Sequence, residues 1–292
     1  FAGLRILVVH SGGDSKRVPQ YSAIGKLFSP VPRELPDGRG STLFDEILIG
    51  TSGVPSRIQE GMFVLSGDVL LLFNPLQIDF QFHGALTISV KEPVATGQNH
   101  GVFLNNGNNI VKAFLHKQPE QRLRELGAVN AEGCVDLDTG AVVFDSALLQ
   151  ALYGLIAPGG EEDEGRCRRF VSEEARISFY GDFLYPLAED STIEQFRKEA
   201  AEGVINETLL ACREELWNAL RGFSMKMVCL SPAEFIHFGT TRELRAMMTT
   251  DVMDYEFLDW KSHTVSAGDG EGYSTYLSYV GNGAKIGRNA YL

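Results

Sequence analysis

The chain has 292 residues, 44% of them hydrophobic and 10% aromatic, enough to bury a sizeable core over about two domains' length. That composition excludes a disordered, collagenous or coiled-coil chain. Lys and Arg number 26 against 38 Asp and Glu, a formal net charge of −12; this excludes a general nucleic-acid binder, which needs a basic surface to displace counterions. An acidic chain that binds an anion must gather its cations locally, so clustered Lys and Arg carry information. No apolar run reaches the ~20 residues of a membrane helix and no signal peptide opens the sequence, so no membrane partner is expected. Cys134, Cys167, Cys212 and Cys229 show neither CxxC nor Cys/His knuckle spacing. They read as reduced thiols of a cytoplasmic protein without structural zinc. Because the first residue is Phe1 and not Met, further residues are expected upstream.

In chain order, aliphatic runs predict strands at Leu4–Val9, Met62–Leu65, Leu86–Val90, Ile110–Leu115, Ala141–Phe144, Ile177–Tyr180 and Met225–Leu230. Helical patterns fall at Thr42–Ile49, Ser146–Leu155, Ile193–Ala201, Ile205–Leu220 and Thr241–Met248. Strands alternating with helices predict an α/β domain with a mostly parallel sheet covered on both faces. Ala157–Arg169, with four consecutive acidic residues and then three arginines, reads as a solvated surface loop. Near the end, Val280-Gly281-Asn282-Gly283-Ala284-Lys285 and Ile286-Gly287-Arg288-Asn289-Ala290-Tyr291 repeat an aliphatic residue, Gly and Ala in the same register. This hexapeptide period predicts the start of a left-handed parallel β-helix. The expected division is a domain over 1–250, a linker over 251–273 and a truncated β-helix over 274–292.

The chemistry concentrates after the first strand, in Ser11-Gly12-Gly13-Asp14-Ser15-Lys16-Arg17-Val18-Pro19 followed by Gly25-Lys26. Adjacent glycines let the backbone approach a ligand, and their N–H groups can face an anion. Lys16, Arg17 and Lys26 bring three cations close behind them, which in so acidic a chain points to phosphate. The spacing fits neither a Walker A loop nor a dinucleotide fingerprint. The competing reading is a Gly-rich turn with solvated Lys and Arg.

The loop resembles the signature loop of sugar-nucleotide pyrophosphorylases, with Ser15-Lys16-Arg17 where Gly-Thr-Arg is usual and Gly25-Lys26 in place of Pro-Lys. In those departures the run HSGGDSKRVPQYSAIGKLFSPVP is similar to the guanylyltransferase half of the bifunctional fucokinase/fucose-1-phosphate guanylyltransferases. The resemblance implies a Rossmann-like, GT-A-like nucleotidyltransferase domain. It implies Ser11, Gly12, Gly13 and Gly67 at the nucleotide and Arg17, Lys16 and Lys26 as the catalytic cations. Gly67-Asp68 and Gly181-Asp182, each expected to close a strand, would supply Asp68 and Asp182 as ligands of Mg²⁺; capping of the following turns is the rival reading. Val111–Pro119 matches a segment whose Lys, here Lys117, would hold the sugar phosphate, with His116 where Glu is usual. In Phe235–Thr241 the hydroxyls read as a helix N-cap, and His237 is left outside the catalytic set. The implied reaction joins GTP and L-fucose 1-phosphate to give GDP-L-fucose and diphosphate. A fused sugar kinase outside this chain and a homo-oligomer are compatible partners. Rival readings are another sugar 1-phosphate or NTP, a non-catalytic nucleotide-sugar-binding module, and a hexapeptide acyltransferase, for which the tail is too short.

Overall fold

The computed structural model describes residues 1–11, 15–267 and 270–292. Its strands and helices run β1 (Arg5–His10), β2 (Pro30–Glu34), β3 (Gly40–Thr42), α1 (Leu43–Thr51), β4 (Gly61–Ser66), β5 (Val69–Phe73) and β6 (Gly84–Pro93). Next come α2 (Val94–Gly97), β7 (Gly101–Asn105), β8 (Val111–His116), α3 (Glu120–Glu125), β9 (Cys134–Phe144), α4 (Ser146–Ile156) and α5 (Glu164–Phe170). The remainder is α6 (Ile193–Phe196), α7 (Glu207–Leu220), β10 (Ser224–Leu230), β11 (Ala233–His237), α8 (Thr241–Thr249), β12 (His263–Thr264) and β13 (Thr275–Tyr276). Two compact units result: the first is residues 1–8, 54–65 and 73–233, the second 9–53, 66–72 and 234–292.

The first unit holds the main sheet, in the order β1-β4-β9-β6-β10. β10 pairs parallel with β6, while β9 runs antiparallel to both β4 and β6. Gly61 N–H donates to the Leu4 carbonyl and Gly67 N–H to that of His10, at the same sequence separation, so β1 is parallel to β4. Four of the five strands on this path therefore point one way: an α/β sheet that is mostly parallel, as expected. The exceptions are Ala141–Phe144, which belongs to the opposed β9, and the 111–115 run, which forms an antiparallel hairpin with β7. β6 is buried without a break from Gly84 to Val90, which is why its sequence shows no alternation. Helix α4 is capped by Asp145, which accepts from Leu148 N–H and, with its other oxygen, from Gly84 N–H. In α7, Leu209, Cys212, Arg213, Leu216 and Leu220 form the buried stripe, at helical spacing.

Two expectations for this unit are corrected. The charged segment ending at Arg169 is not all loop: Asp163 caps α5, and Arg166 and Arg169 both reach Glu215 on α7. The strand expected at Ile177–Tyr180 is absent; Ser178 instead caps a π-helical turn at Phe179–Phe183 that packs Phe179 and Phe183 face to face.

The second unit contains the β2–β3 hairpin, the β5–β11 pair, α1, α8 and the tail. α1 begins with a reciprocal capping box between Thr42 and Asp45. The tail stacks in parallel: His263 pairs with Thr275, Ala267 bridges Tyr279, and Ser274 bridges Tyr291. This parallel ladder begins inside the segment expected to be linker. Tyr276 donates its hydroxyl to the Ser41 carbonyl at 2.7 Å, tying the tail to β3. Among the described residues, no helix is long and apolar enough to cross a membrane.

Candidate active site around Asp68

In the second unit, the chain after β1 and the chain after β4 are held together at Gly67. Its N–H donates to the His10 carbonyl at 2.9 Å, and a Cβ there would stand 2.9 Å from that oxygen and 3.1 Å from Ser11 Cα. Only glycine permits that approach, and it sets Asp68 beside exposed Ser11. β5 then pairs with β11, and Phe238 N–H donates to the Asp68 carbonyl at 2.7 Å. Gly12 and Gly13 lie outside the described residues.

The loop resumes at Ser15, whose backbone has a φ of 50°, and Val18 N–H returns to the Ser15 carbonyl at 2.8 Å. Val18 is fully buried and anchors the segment, leaving Lys16 and Arg17 exposed. The Arg17 carbonyl accepts from both the backbone N–H (2.9 Å) and the hydroxyl (3.0 Å) of Thr241, the first residue of α8. Lys26 opens the short 3-10 turn Lys26–Phe28, and its Nζ lies 3.0 Å from Asp68 Oδ2.

Asp68 is the electrostatic centre. The Ser66 hydroxyl donates to Oδ1 at 2.7 Å; Oδ2 faces Lys26, with His237 Nε2 at 3.8 Å. Burial opposes its charge, but the nearby His237 ring, the Ser66 hydrogen bond and the Lys26 ammonium outweigh it and hold the carboxyl well below the usual carboxylate range. Its side chain keeps 26% of its surface open. The result is a carboxylate charged at any physiological pH, partly accessible, with the Lys26 ammonium against it. Among the described residues, no group of three or more His, Cys, Asp or Glu side chains is assembled around a metal position. A single charged carboxylate nevertheless fits Mg²⁺, which takes one or two protein oxygens and fills its octahedron with waters and substrate phosphates.

His237, set aside on sequence grounds, belongs to this cluster. It ends β11, with Nδ1 3.5 Å from Glu243 Oε1. Gly239 lies directly under the imidazole, where any Cβ would collide with the ring. Thr240 does cap α8, accepting from Glu243 N–H. The cap and the histidine are parts of one arrangement.

Of the remaining predicted residues, Lys117 and Asp182 belong to the first unit. Lys117 follows β8, is exposed and adopts a φ of 49°, with its N–H on the His100 carbonyl. The neighbouring His116 is kept neutral by burial and by the charge of Lys117, which lower its pKa. Asp182 requires a correction. It closes no strand but sits in the π-helical turn, 1% exposed; Oδ1 accepts from Arg213 Nε at 2.7 Å and Oδ2 from Ser178 N–H at 2.7 Å. Both oxygens are committed within the unit's own packing, so the metal proposal rests on Asp68 alone.

Comparison with known proteins places the chain in a family. The chain is 26% identical to a fucose-1-phosphate guanylyltransferase of Mus musculus, with 85% of this chain and 45% of the relative covered. It is 28% identical to the bifunctional fucokinase/GDP-fucose pyrophosphorylase of Arabidopsis thaliana, with 84% of this chain and 23% of that protein covered. The human fucose-1-phosphate guanylyltransferase is 27% identical over 84% of this chain and 44% of its own length. The chain thus spans less than half the length of each of these relatives. A solved structure, CTP:phosphocholine cytidylyltransferase of Streptococcus pneumoniae, is similar over 84% of this chain and 97% of its own, with 8% identity and a TM-score of 0.42. Residues 1–290 match the fucose pyrophosphorylase domain, and the chain belongs to that family.

Proposed function

We propose that the chain is a sugar-1-phosphate guanylyltransferase, joining L-fucose 1-phosphate and GTP to give GDP-L-fucose and diphosphate. The observation that carries this reading is the Lys26–Asp68 pair at the end of the loop anchored by Val18 and Thr241, in a chain of the fucose pyrophosphorylase domain family. A phosphate oxygen of the sugar phosphate attacks the α-phosphorus of GTP, the bond to the β-phosphate oxygen breaks, and diphosphate leaves with that electron pair. The attacking phosphate is already ionised near neutral pH, so no protein base is required. The work is positioning two polyanions and neutralising charge, as in phosphoryl transfer generally.

In this reading Arg17 and Lys16 neutralise the departing diphosphate. Lys26 leaves its ion pair with Asp68 to contact the reacting phosphates. Ser11, Gly12, Gly13 and Gly67 let the backbone follow the nucleotide, and Lys117 holds the sugar phosphate. Asp68 would hold Mg²⁺, which supplies charge neutralisation at the α-phosphate when bound. His237 is a positioning residue that orients Asp68 from the side opposite Ser66. The parallel tail is proposed to begin a left-handed β-helix, its Val280 and Ile286 half-buried along the coil. Free cysteines among the described residues agree with a cytoplasmic setting, and the length of the relatives with a longer polypeptide that could carry a sugar kinase.

The test is diphosphate release from each of the four NTPs with L-fucose 1-phosphate, mannose 1-phosphate or glucose 1-phosphate, in Mg²⁺ and in chelator. Mg²⁺-dependent release with GTP and L-fucose 1-phosphate above every other pair is expected. Tight nucleotide-sugar binding without release would overturn the reading in favour of a non-catalytic module.

A further inference from the structure

A cavity of about 510 Å³ opens within the first unit, beneath residues 185–199 and against the β7–β8 hairpin. That volume suits a small organic ligand. None of its walls comes from the loop between Ser11 and Phe28 or from the Asp68 segment; it does share the Val111–Pro119 segment with the proposed sugar-phosphate residue Lys117, whose neighbour Gln118 lines it while Lys117 itself does not.

Its lining combines three chemistries. Phe114 and Leu115 of β8 and Tyr185 form an apolar wall, with the Tyr185 ring fixed by stacking on Phe196 at 5.2 Å. Lys112, Arg122 and Lys198 bring three cations from three separate segments, against two carboxylates, Asp190 and Glu199. In a chain of net −12, that is a local reversal of sign. The cations are weakly engaged. Lys112 stands 3.6 Å from Asp190 and Arg122 leans on Glu125 at 3.4 Å; Lys198 has no ion pair among the described residues. Glu199 is half-buried, and burial raises its pKa, so an incoming hydroxyl donor would be favourable there. The Gln195 amide has no side-chain partner among the described residues and opens on the same space.

From this arrangement we infer that the cavity is a second ligand site, for a phosphorylated sugar. The cations take the phosphate, Glu199 and Gln195 pair with ring hydroxyls, and the apolar wall covers the C–H side of the sugar. A bare anion would leave the carboxylates unpartnered and close to its charge. A neutral sugar would leave Lys198 unused.

The inference is tested by titration calorimetry on the full chain with glucose 6-phosphate, inorganic phosphate and glucose. Glucose 6-phosphate is chosen because its phosphate is not at the anomeric carbon and the proposed transfer does not consume it. One-site binding of glucose 6-phosphate, at least ~10-fold tighter than inorganic phosphate or glucose, is expected. Lys198→Ala, a surface change, weakens it roughly 10-fold or more through loss of a charge-assisted contact. Gln195→Ala weakens it less, and Arg17→Ala and Lys117→Ala leave it unchanged. Absence of binding, equal binding of inorganic phosphate, or binding lost in Arg17→Ala or Lys117→Ala and kept in Lys198→Ala would each overturn the proposal. None of these outcomes depends on whether the transfer reaction is the one proposed.

Discussion

Replacing Asp182 with Asn separates a structural carboxylate from a metal-binding one. In the wild type, Arg213 is fully buried, and its guanidinium is satisfied by Asp182 Oδ1 and by the carbonyls of Phe196, Glu199 and Ala200. Asn keeps the shape but removes the countercharge, and its amide N–H₂ can be set against the Ser178 N–H that now donates to Oδ2. Removing one partner of a buried pair costs ~3–5 kcal/mol, because the surviving charge stays desolvated. At ~2–4 °C per kcal/mol for a domain of this size, Tm should fall by roughly 6–20 °C. Circular dichroism melts in chelator and in Mg²⁺ would show the same loss in both. Arg213→Met should cost a comparable amount, and the double variant Asp182→Leu/Arg213→Met less than the two singles together. An unchanged Tm in chelator, with a deficit appearing only when Mg²⁺ is added, would refute the structural assignment and return Asp182 to the metal site.

Three further outcomes follow from the same geometry. Arg17→Ala and Lys26→Ala should each lower the transfer rate by at least ~100-fold while the melting curve is retained, since each removes one preorganised cation from the phosphates; near-normal turnover in either folded variant contradicts the role given to the loop. Gly67→Ala, which forces a Cβ against the His10 carbonyl and Ser11, should cost ~1–3 kcal/mol and lower turnover with it, read by denaturant unfolding and diphosphate release. Burial pushes the Asp138 carboxyl up to about 6 from 3.8, against the one opposing hydrogen bond from Gly140 N–H. Its folded pKa lies above the unfolded one, so its contribution is fully present below about pH 4 and is lost as pH rises through about 6, at most ~3 kcal/mol. Asp138→Asn should therefore gain stability over wild type progressively between pH 4 and pH 7, and a difference that stays flat with pH would contradict the assignment.

The strand and turns of the β1–loop–Lys26 segment and the Asp68 turn were legible in the sequence, because an aliphatic run leading straight into glycines and clustered cations reads as a strand followed by an anion-binding turn; burial was not, since β1 is an edge strand with no buried residue and Leu7 44% exposed. The same reasoning failed at Asp182. A Gly-Asp pair after apolar residues looks like a strand end, yet Ser178 accepts from Gly181 N–H and closes a π-turn instead. The tertiary demand of Arg213, thirty-one residues away along the chain, decided that conformation, and no local pattern encodes it. β9 was legible as a strand over Ala141–Phe144 but not in its direction or its length back to Cys134, because antiparallel insertion depends on which neighbours it meets. The acidic and basic block before Phe170 concealed α5, whose arginines are held by Glu215 on another helix. His237 was visible but unreadable: its relation to Asp68 is made by β11 pairing with β5, a contact between distant segments.

The most direct measurement is the Mg²⁺-dependent rate of diphosphate release by Asp68→Asn, set beside its melting curve. Asn retains the volume and the acceptor for Ser66 but withdraws the charge that faces Lys26 and would bind the cation. Transfer reduced by at least ~100-fold, with more Mg²⁺ needed for half-maximal rate and the fold unchanged, is the predicted result. A folded Asp68→Asn enzyme that turns over GTP and L-fucose 1-phosphate at the wild-type rate and Mg²⁺ requirement would place the chemistry elsewhere in the molecule.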